Sequence, residues 1–311
     1  MPRLHTIDLA YLGTPEAIAA YAIETDDGVA LIECGPASTR EALTAGLAAF
    51  GAAPADVRHL LVTHIHFDHA GAAGWLARES PEARVHVHAF GAKHLIDPSK
   101  LINSATRIYG DDMDRLWGPI LPIPAERVVA VEDGDALRFG GLTITAIETP
   151  GHARHHHAYA TELDGERLCF TGDAAAAVVR EAPTFISLPA PPPEFDPQQW
   201  AASIARLRDG GHDAIYPTHY GRIDDPAAHL DRVAASIDAH VAWITERRAA
   251  GDDAAAMAED YAAWFMAQAD AAEVPAAKRA FYAKGSLVNM NLAGVLRWRQ
   301  KLDEAAAAKQ D

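Results

Sequence analysis

Thr63-His64-Ile65-His66-Phe67-Asp68-His69-Ala70-Gly71 follows directly on the apolar run Leu60-Leu61-Val62 and places three imidazoles and a carboxylate within six positions. Alternation along an extended segment sends His64, His66 and Asp68 to one side, and a bend after the strand can bring His69 round to them. Neutral imidazole together with carboxylate suits zinc, iron or manganese. A core has no use for that much unpaired polarity. The plain alternative is a solvated polar turn, and the density of ligand atoms at the end of a buried strand argues against it.

The whole chain is compatible with such a centre in a soluble protein. It has 311 residues, 49% of them hydrophobic, enough for one large domain with an appendage or for two ordinary ones. No run reaches the roughly 18 to 20 apolar residues of a membrane helix, and Met1-Pro2-Arg3-Leu4-His5 lacks the apolar stretch of a signal peptide, so a cytoplasmic location is expected. Cys34 and Cys169 each lie in an apolar strand-like context, which predicts buried free thiols. A formal net charge of −16 disfavours nucleic acid, whose binding rests on cationic groups that displace counterions.

Apolar or alternating runs over 4–9, 17–25 and 29–34 predict strands, with a hairpin at Asp26-Asp27-Gly28. Ser38-Thr39-Arg40-Glu41 reads as a capping box opening an Ala/Leu-rich helix to about Phe50. Further strands are expected at 59–63, 84–88, 127–131, 136–139, 142–148, 156–162, 167–172 and 213–217. Helices are expected at 71–79, at 90–109 with a break at Asp97-Pro98, and at 197–208. Interleaved strands, hairpins and helices favour a layered α/β protein with mixed sheets. Residues 1–225 are read as the catalytic domain and 226–311 as an α-helical C-terminal extension, with the stripe Leu230, Val233, Ile237, Val241. Trp243, Tyr261, Trp264, Phe265 and Phe281 in that extension read as core and docking contacts. The segment Leu188-Pro189-Ala190-Pro191-Pro192-Pro193-Glu194 is stiff, either a connector or a pocket wall.

Three more ligand-type residues stand just past apolar runs. His152 follows Thr149-Pro150-Gly151, Asp173 follows Leu168-Cys169-Phe170-Thr171-Gly172, and His219 follows Ala214-Ile215-Tyr216-Pro217-Thr218. Each alone would pass for a cap or a turn residue. Together with the first cluster they make four strand ends, and layered α/β proteins gather such ends along one edge.

In this order the residues resemble the metallo-β-lactamase-fold hydrolase superfamily: T-H-x-H-x-D-H at 63–69, Gly151-His152, Gly172-Asp173 and His219, spanning roughly residues 15–225. Pro-Gly-His-Ala-Arg-His-His-His, the Pro-Pro-Pro loop and Pro-Thr-His-Tyr-Gly resemble a poorly characterised prokaryotic branch with a helical C-terminal segment. The resemblance implies an αββα four-layer sandwich with two divalent metal ions at its edge. It assigns His64, His66 and His152 to the first metal and Asp68, His69 and His219 to the second, with Asp173 bridging. Zinc is the first choice, with iron or manganese as alternatives. Two cations roughly 3.5–4 Å apart can share a hydroxide at neutral pH, and carboxylates at Asp68 and Asp173 offset their charge.

Asp68 and His156 are the catalytic candidates. Of the run His155-His156-His157, His156 is favoured as a partner behind the ligands, set against a strand start with one imidazole inward and two outward. His86 and His88 read as a satisfied structural pair, and Tyr159 and Tyr220 as packing residues. Lys93, Lys100, Arg107 and Tyr109 fall on a helical insertion, more often a solvated face than an anion site.

A dinuclear hydrolase of a small ester, lactone, thioester or amide-like substrate is the leading expectation. Asp173 is followed by Ala174-Ala175-Ala176-Ala177 and not by the Tyr that quorum-signal lactonases of the superfamily often carry. True β-lactamases generally lack an Asp at the bridging position. The tRNA-processing branch needs a basic appendage, and the glutathione-gripping residues of the glyoxalase-II-like thioesterases have no clear place in the C-terminal helices. The alternatives are a mononuclear iron persulfide dioxygenase, a phosphodiesterase and an idle binding module. A small-molecule substrate is expected, with no nucleic acid or membrane partner, and the C-terminal helices are expected to cap the pocket or to build a homodimer interface.

Overall fold

The structure is a computed structural model that describes residues 2–283 and 285–308, with the backbone alone at 285–287. β1 (Arg3–Asp8) pairs antiparallel with β2 (Ala19–Thr25), which turns at Asp26-Asp27 into β3 (Gly28–Ile32). After α1 (Arg40–Ala48), β4 (Val57–Leu61) lies parallel to β3. α2 (Phe67–Ala70) and α3 (Ala73–Glu79) lead to β5 (Arg84–His88). Next, α4 (Ala89–Ile96), α5 (Ser99–Tyr109) and α6 (Met113–Leu116) lead to β6 (Val128–Val131), which closes a sheet in the order β1-β2-β3-β4-β5-β6. The break between α4 and α5 is the expected one: Asp97 precedes Pro98, and its carboxylate accepts from the Ser99 N–H at 3.1 Å.

A second sheet follows as a meander of β7 (Ala136–Phe139), β8 (Leu142–Glu148), β9 (His157–Leu163) and β10 (Glu166–Phe170). The chain then makes the hairpin β11 (Ala177–Val179) and β12 (Ala182–Ser187), and α7 (Pro197–Asp209). It returns as β13 (Ala214–Tyr216), parallel to β10 at the sheet edge. Both large sheets are mixed, as the interleaved pattern predicts. β8 shows the alternation that makes this possible: Leu142, Ile144 and Ala146 are buried while Thr143 is exposed. Side chains from both sheets share one core, with Tyr21, Ile23, Ile32 and Leu61 from the first and Ile144, Tyr159, Phe170 and Tyr216 from the second. The two thiols are free and buried, and burial pushes both thiol pKa values up.

The chain ends in α8 (Pro226–Ala249), α9 (Ala254–Ala271), α10 (Ala276–Tyr282) and α11 (Gly285–Ala307). α7 and α8 start in the same way. Asp196 and Asp225 accept backbone N–H groups of the first turn, and a proline follows each where its missing N–H costs nothing. No helix among the described residues is long and apolar enough to cross a membrane.

Two compact units result. The first takes in the chain up to Glu148, with His155–Gly172 and His212–Asp224, and holds both large sheets. The second takes in Thr149–Arg154, Asp173–Gly211 and the chain from Asp225 on. The helices after residue 225 thus fall whole in the second unit, together with two earlier stretches that composition does not set apart.

Several local expectations are corrected. No capping box forms at 38–41: the Ser38 hydroxyl donates to the Leu116 carbonyl at 2.7 Å and Thr39 to the Pro36 carbonyl at 2.9 Å. His86 and His88 are not a pair. His86 Nε2 meets His59 Nδ1 at 3.1 Å, whereas His88 meets Glu148 at 3.1 Å and accepts from the Phe90 N–H. On α8 the fourth position of the buried stripe is His240 and not Val241, which is only half-buried. Tyr159 and Tyr220 are buried as expected, Tyr159 donating to the Val62 carbonyl.

His86 and His240 have pKa values lowered to about 4, by burial first and, at His86, by the neighbouring His59 next. Unfolded, each titrates near 6.5, so above that pH both states are neutral and the full stability is present. Between about 6.5 and 4 only the unfolded chain takes up the proton, and each group removes up to about 3 kcal/mol. Urea unfolding should therefore show a stability that falls steadily over this window. In a His240→Gln variant the fall should be shallower; an unchanged slope would mean that His240 titrates normally in the folded protein.

Candidate metal centre

In the first unit the end of β4 runs into His64, and the short helix α2 carries Asp68 and His69. Alternation works as the sequence suggests. Ile65 and Phe67 line an apolar cleft with Leu95, Leu101 and Leu121, while His64 and His66 turn to each other, Nε2 to Nδ1, at 2.8 Å. His219, past the end of β13, joins Asp68 and His69: their ligand atoms lie within 4.8 Å of one another. Asp68 Oδ2 stands 3.8 Å from His69 Nε2 and 3.6 Å from His219 Nε2.

The partners of the other ring nitrogens bear on the tautomer of each imidazole. His69 Nδ1 meets the Glu33 carboxylate at 2.9 Å and His219 Nδ1 the Ala17 carbonyl at 2.7 Å. An oxygen of either kind only accepts, so in the neutral ring Nδ1 carries the hydrogen and Nε2 keeps its lone pair. His64 Nδ1 lies 3.1 Å from the Thr63 hydroxyl, which itself donates to Glu33 at 2.5 Å. His219 is held through its loop: Tyr21 donates to the Pro217 carbonyl, accepts from the Gly221 N–H, and Ala19 N–H donates to the Thr218 carbonyl. The Nε2 atoms of two imidazoles, His69 and His219, facing one carboxylate make a group that could hold a cation.

In the second unit His152 Nε2 stands 3.3 Å from Asp173 Oδ2, both side chains nearly buried. His152 Nδ1 meets the Pro189 carbonyl at 2.8 Å. The turn before it depends on Gly151, whose φ of 136° disfavours a side chain and where a Cβ would lie 2.3 Å from Trp200. α7 clamps both residues. Asp196 N–H donates to the Gly151 carbonyl, Ser203 to the Pro150 carbonyl and Trp200 Nε1 to the Ala174 carbonyl at 2.8 Å. From α8, His229 Nε2 meets the Ala175 carbonyl at 2.8 Å.

His156 is completely buried, its ring 5.0 Å from that of His64, so it can support a ligand but cannot touch a substrate. His155 and His157 are buried as well, which rules out the alternative of a strand start with two outward imidazoles. His155 stacks on Phe90, and the His157 ring lies 4.6 Å from that of His88. Lys100 and Arg107 are exposed on α5, and Lys93 lies over the Phe90 ring.

Two sets of residues escape the sequence reading. Glu33 is fully buried with a φ of 65°, and it accepts from the Thr63 N–H at 3.3 Å and the Thr63, His69 and Thr218 side chains. Its only local signal is a charged residue closing the apolar run Ala30-Leu31-Ile32. Tyr11, Phe67, Tyr109 and Trp117 form an aromatic group beside Asp68. Burial, then the Asp68 charge, raises the phenol pKa values, to about 12 at Tyr109 and further at Tyr11. Both hydroxyls therefore stay protonated donors at neutral pH.

The family model described as the Metallo-beta-lactamase superfamily matches residues 13–219. The metallo-beta-lactamase fold-containing protein ST1585 of Sulfurisphaera tokodaii is 30% identical over 151 residues, covering 48% of this chain and 54% of that protein. The chain thus spans about half the length of this curated relative. Its crystal structure superposes with a TM-score of 0.62 at 25% identity, over 75% of this chain and 85% of that one. The metallo-beta-lactamase family protein TTHA1429 of Thermus thermophilus superposes with a TM-score of 0.65 at 21% identity, over 97% and 94%. A hydroxyacylglutathione hydrolase of Aeromonas hydrophila is 29% identical over 114 residues, 37% of this chain and 32% of its own. The expected α/β metallo-β-lactamase fold with a helical C-terminal segment is borne out.

Glu33 is the group whose removal should be felt most. Glu33→Ala leaves two hydroxyls, an imidazole and an N–H without their acceptor, a loss on the scale of roughly 3–5 kcal/mol. Urea unfolding of the metal-free protein measures it directly. A loss below about 1 kcal/mol would mean that water replaces the carboxylate at no great cost.

Proposed function

The chain belongs to the metallo-β-lactamase superfamily, and from that premise we propose that it is a dinuclear metal-dependent hydrolase of a small ester, lactone, thioester or amide-like substrate. The observation that carries the reading is Asp68, held between His69 and His219. A single-metal centre at His64 and His66 has no use for that second triad. His64, His66 and His152 would hold one metal, Asp68, His69 and His219 the other, and Asp173 would bridge them. Zinc is the favoured ion, with iron or manganese able to take the same mixed nitrogen and oxygen set.

Divalent cations at these positions would supply Lewis acidity and lower the pKa of a water into the neutral range. The protein's own groups do the rest. Asp68 and Asp173 offset cationic charge, and Glu33 adds a third carboxylate behind His69. The Nδ1 bonds of His69, His152 and His219 hold each ring with its Nε2 lone pair presented. Tyr11 and Tyr109, whose phenols feel the Asp68 charge, would be the nearest aromatic hydroxyls of that group able to donate to a substrate oxygen.

A small neutral or weakly charged acyl substrate fits a chain with a net charge of −16 better than a polyanion does. The hydroxyacylglutathione hydrolase relative supports thioesters as the first class to assay. The activity lies in the walls around the metals as much as in the ligands.

Metal analysis of the purified protein should return about two zinc ions per chain, and hydrolysis of some member of a lactone, thioester, phosphodiester and β-lactam panel should stop on chelation and return with zinc. One iron per chain with oxygen uptake on a persulfide would overturn the hydrolase reading in favour of a dioxygenase. Asp68→Ala should halve the metal content and lower kcat/KM by roughly a hundredfold or more, the scale of losing one positioned group, while Tm changes little. Unchanged turnover would exclude a dinuclear mechanism.

A further inference from the structure

We propose that α11, acting through the proline-rich segment 188–194, sets which nitrogen of His152 is presented to a metal; this deepens the hydrolase reading and rests on it. One peptide group carries the argument. The Pro189 carbonyl meets His152 Nδ1 at 2.8 Å, and the N–H of the same peptide, on Ala190, donates to Asn291 Oδ1 of α11 at 2.8 Å. A peptide unit is planar and rigid, so holding its N–H also aims its carbonyl. The carbonyl accepts only, so the hydrogen of the neutral ring sits on Nδ1 and the Nε2 lone pair faces Asp173.

The anchor is itself oriented from behind. Because Asn291 Oδ1 accepts from Ala190, its amide nitrogen is the atom left to donate, and it bonds the Tyr261 hydroxyl of α9. Tyr261 is then free to donate to His240 Nδ1 of α8, at 2.5 Å. Ala190, Asn291, Tyr261 and His240 are all buried, so water does not substitute for any of these partners at low cost. The contacts define one direction for the amide and one for the peptide plane.

Gly294, one turn along α11, completes the seat. A Cβ there would lie 1.8 Å from the Ala190 carbonyl oxygen. A glycine in a helix interior costs about 1 kcal/mol relative to alanine, and the close passage of residue 190 is the compensation. Lys301 adds a bond to the Pro193 carbonyl at 2.5 Å. The stiff segment is therefore neither a bare connector nor a loose wall: α11 holds it at both ends, and it holds His152.

Asn291 and Gly294 are positioning residues, and the test reads the imidazole directly. In the full-length, metal-free protein above the imidazole pKa, nitrogen-15 spectra of the histidine side chains should show His152 as the Nδ1–H tautomer. Asn291→Ala, which removes the acceptor, and Gly294→Ala, which displaces residue 190, should each give a mixture of tautomers. Competition against a chromogenic chelator should show one zinc weakened by about 10- to 100-fold, the scale of a lost partner behind a ligand. Gly294→Ala should also lower Tm, where helix propensity alone would raise it. If Gly294→Ala does not fold, Asn291→Ala carries the test. A folded Asn291→Ala protein with an unchanged His152 tautomer and unchanged zinc affinity would overturn the inference. Failure of the hydrolase reading looks different: the wild-type protein would take up no stoichiometric metal, while the tautomer shift would still occur.

Discussion

The buried carboxylate of Glu33 is the group on which the first unit's cluster of histidines depends. It lies past the end of β3, yet its acceptor oxygens collect Thr63 from the end of β4, His69 from α2 and Thr218 from the end of β13. A carboxylate out of water is costly unless donors surround it, and here they do. Its left-handed backbone costs roughly another 1–2 kcal/mol for a side chain of this size. Those costs are offset only while all the segments are in place. The pieces that carry His64, His69 and His219 therefore order together, and none of them can drift without exposing the charge to unmet bonds.

The same device recurs at three of the candidate ligands. His69 gives its Nδ1 hydrogen to Glu33, His219 to Ala17 and His152 to Pro189. Two of these acceptors are backbone carbonyls, whose direction is a property of the chain path and not of a rotamer. In the second unit the path is set by α7 under Gly151 and Ala174, and by the buried relay from α8, α9 and α11 to Ala190. Helices that make no bond to His152 thereby bear on its orientation, because a ring turned by a few tens of degrees no longer presents its lone pair in the same direction.

Much of the architecture is legible in short-range pattern. β8 and β5 sit where alternation and apolar runs predict them, and Asp97-Pro98 splits the helical insertion as proline sterics require. What fails does so for tertiary reasons. Ser38 and Thr39 have the spacing of a capping box, but carbonyls at Leu116 and Pro36 claim their hydroxyls first. The hairpin Ala177–Ser187 follows a run of alanines that carries no strand signal of its own. Of the two readings of His155, His156 and His157, the half-solvated strand start is the one that fails, since all three are covered.

The sequence by itself brought out the candidate metal-binding residues, because chemistry of that kind is written in residue type and order: three imidazoles and a carboxylate after one strand, then a histidine or aspartate past three others. It also determined the fold class, through apolar periods that distinguish strand from helix, and a charge balance that opposes polyanions. The tertiary structure alone decided which nitrogen of each imidazole meets an acceptor, that Glu33 and not a residue of the motif gathers Thr63, His69 and Thr218, and that Asn291 reaches Ala190, and through its peptide His152, from 101 residues away. The physical reason is range. Periodicity and motif spacing act within a few residues, whereas a hydrogen on Nδ1 or a buried charge is set by whichever oxygen or donor the folded chain brings within about 3 Å.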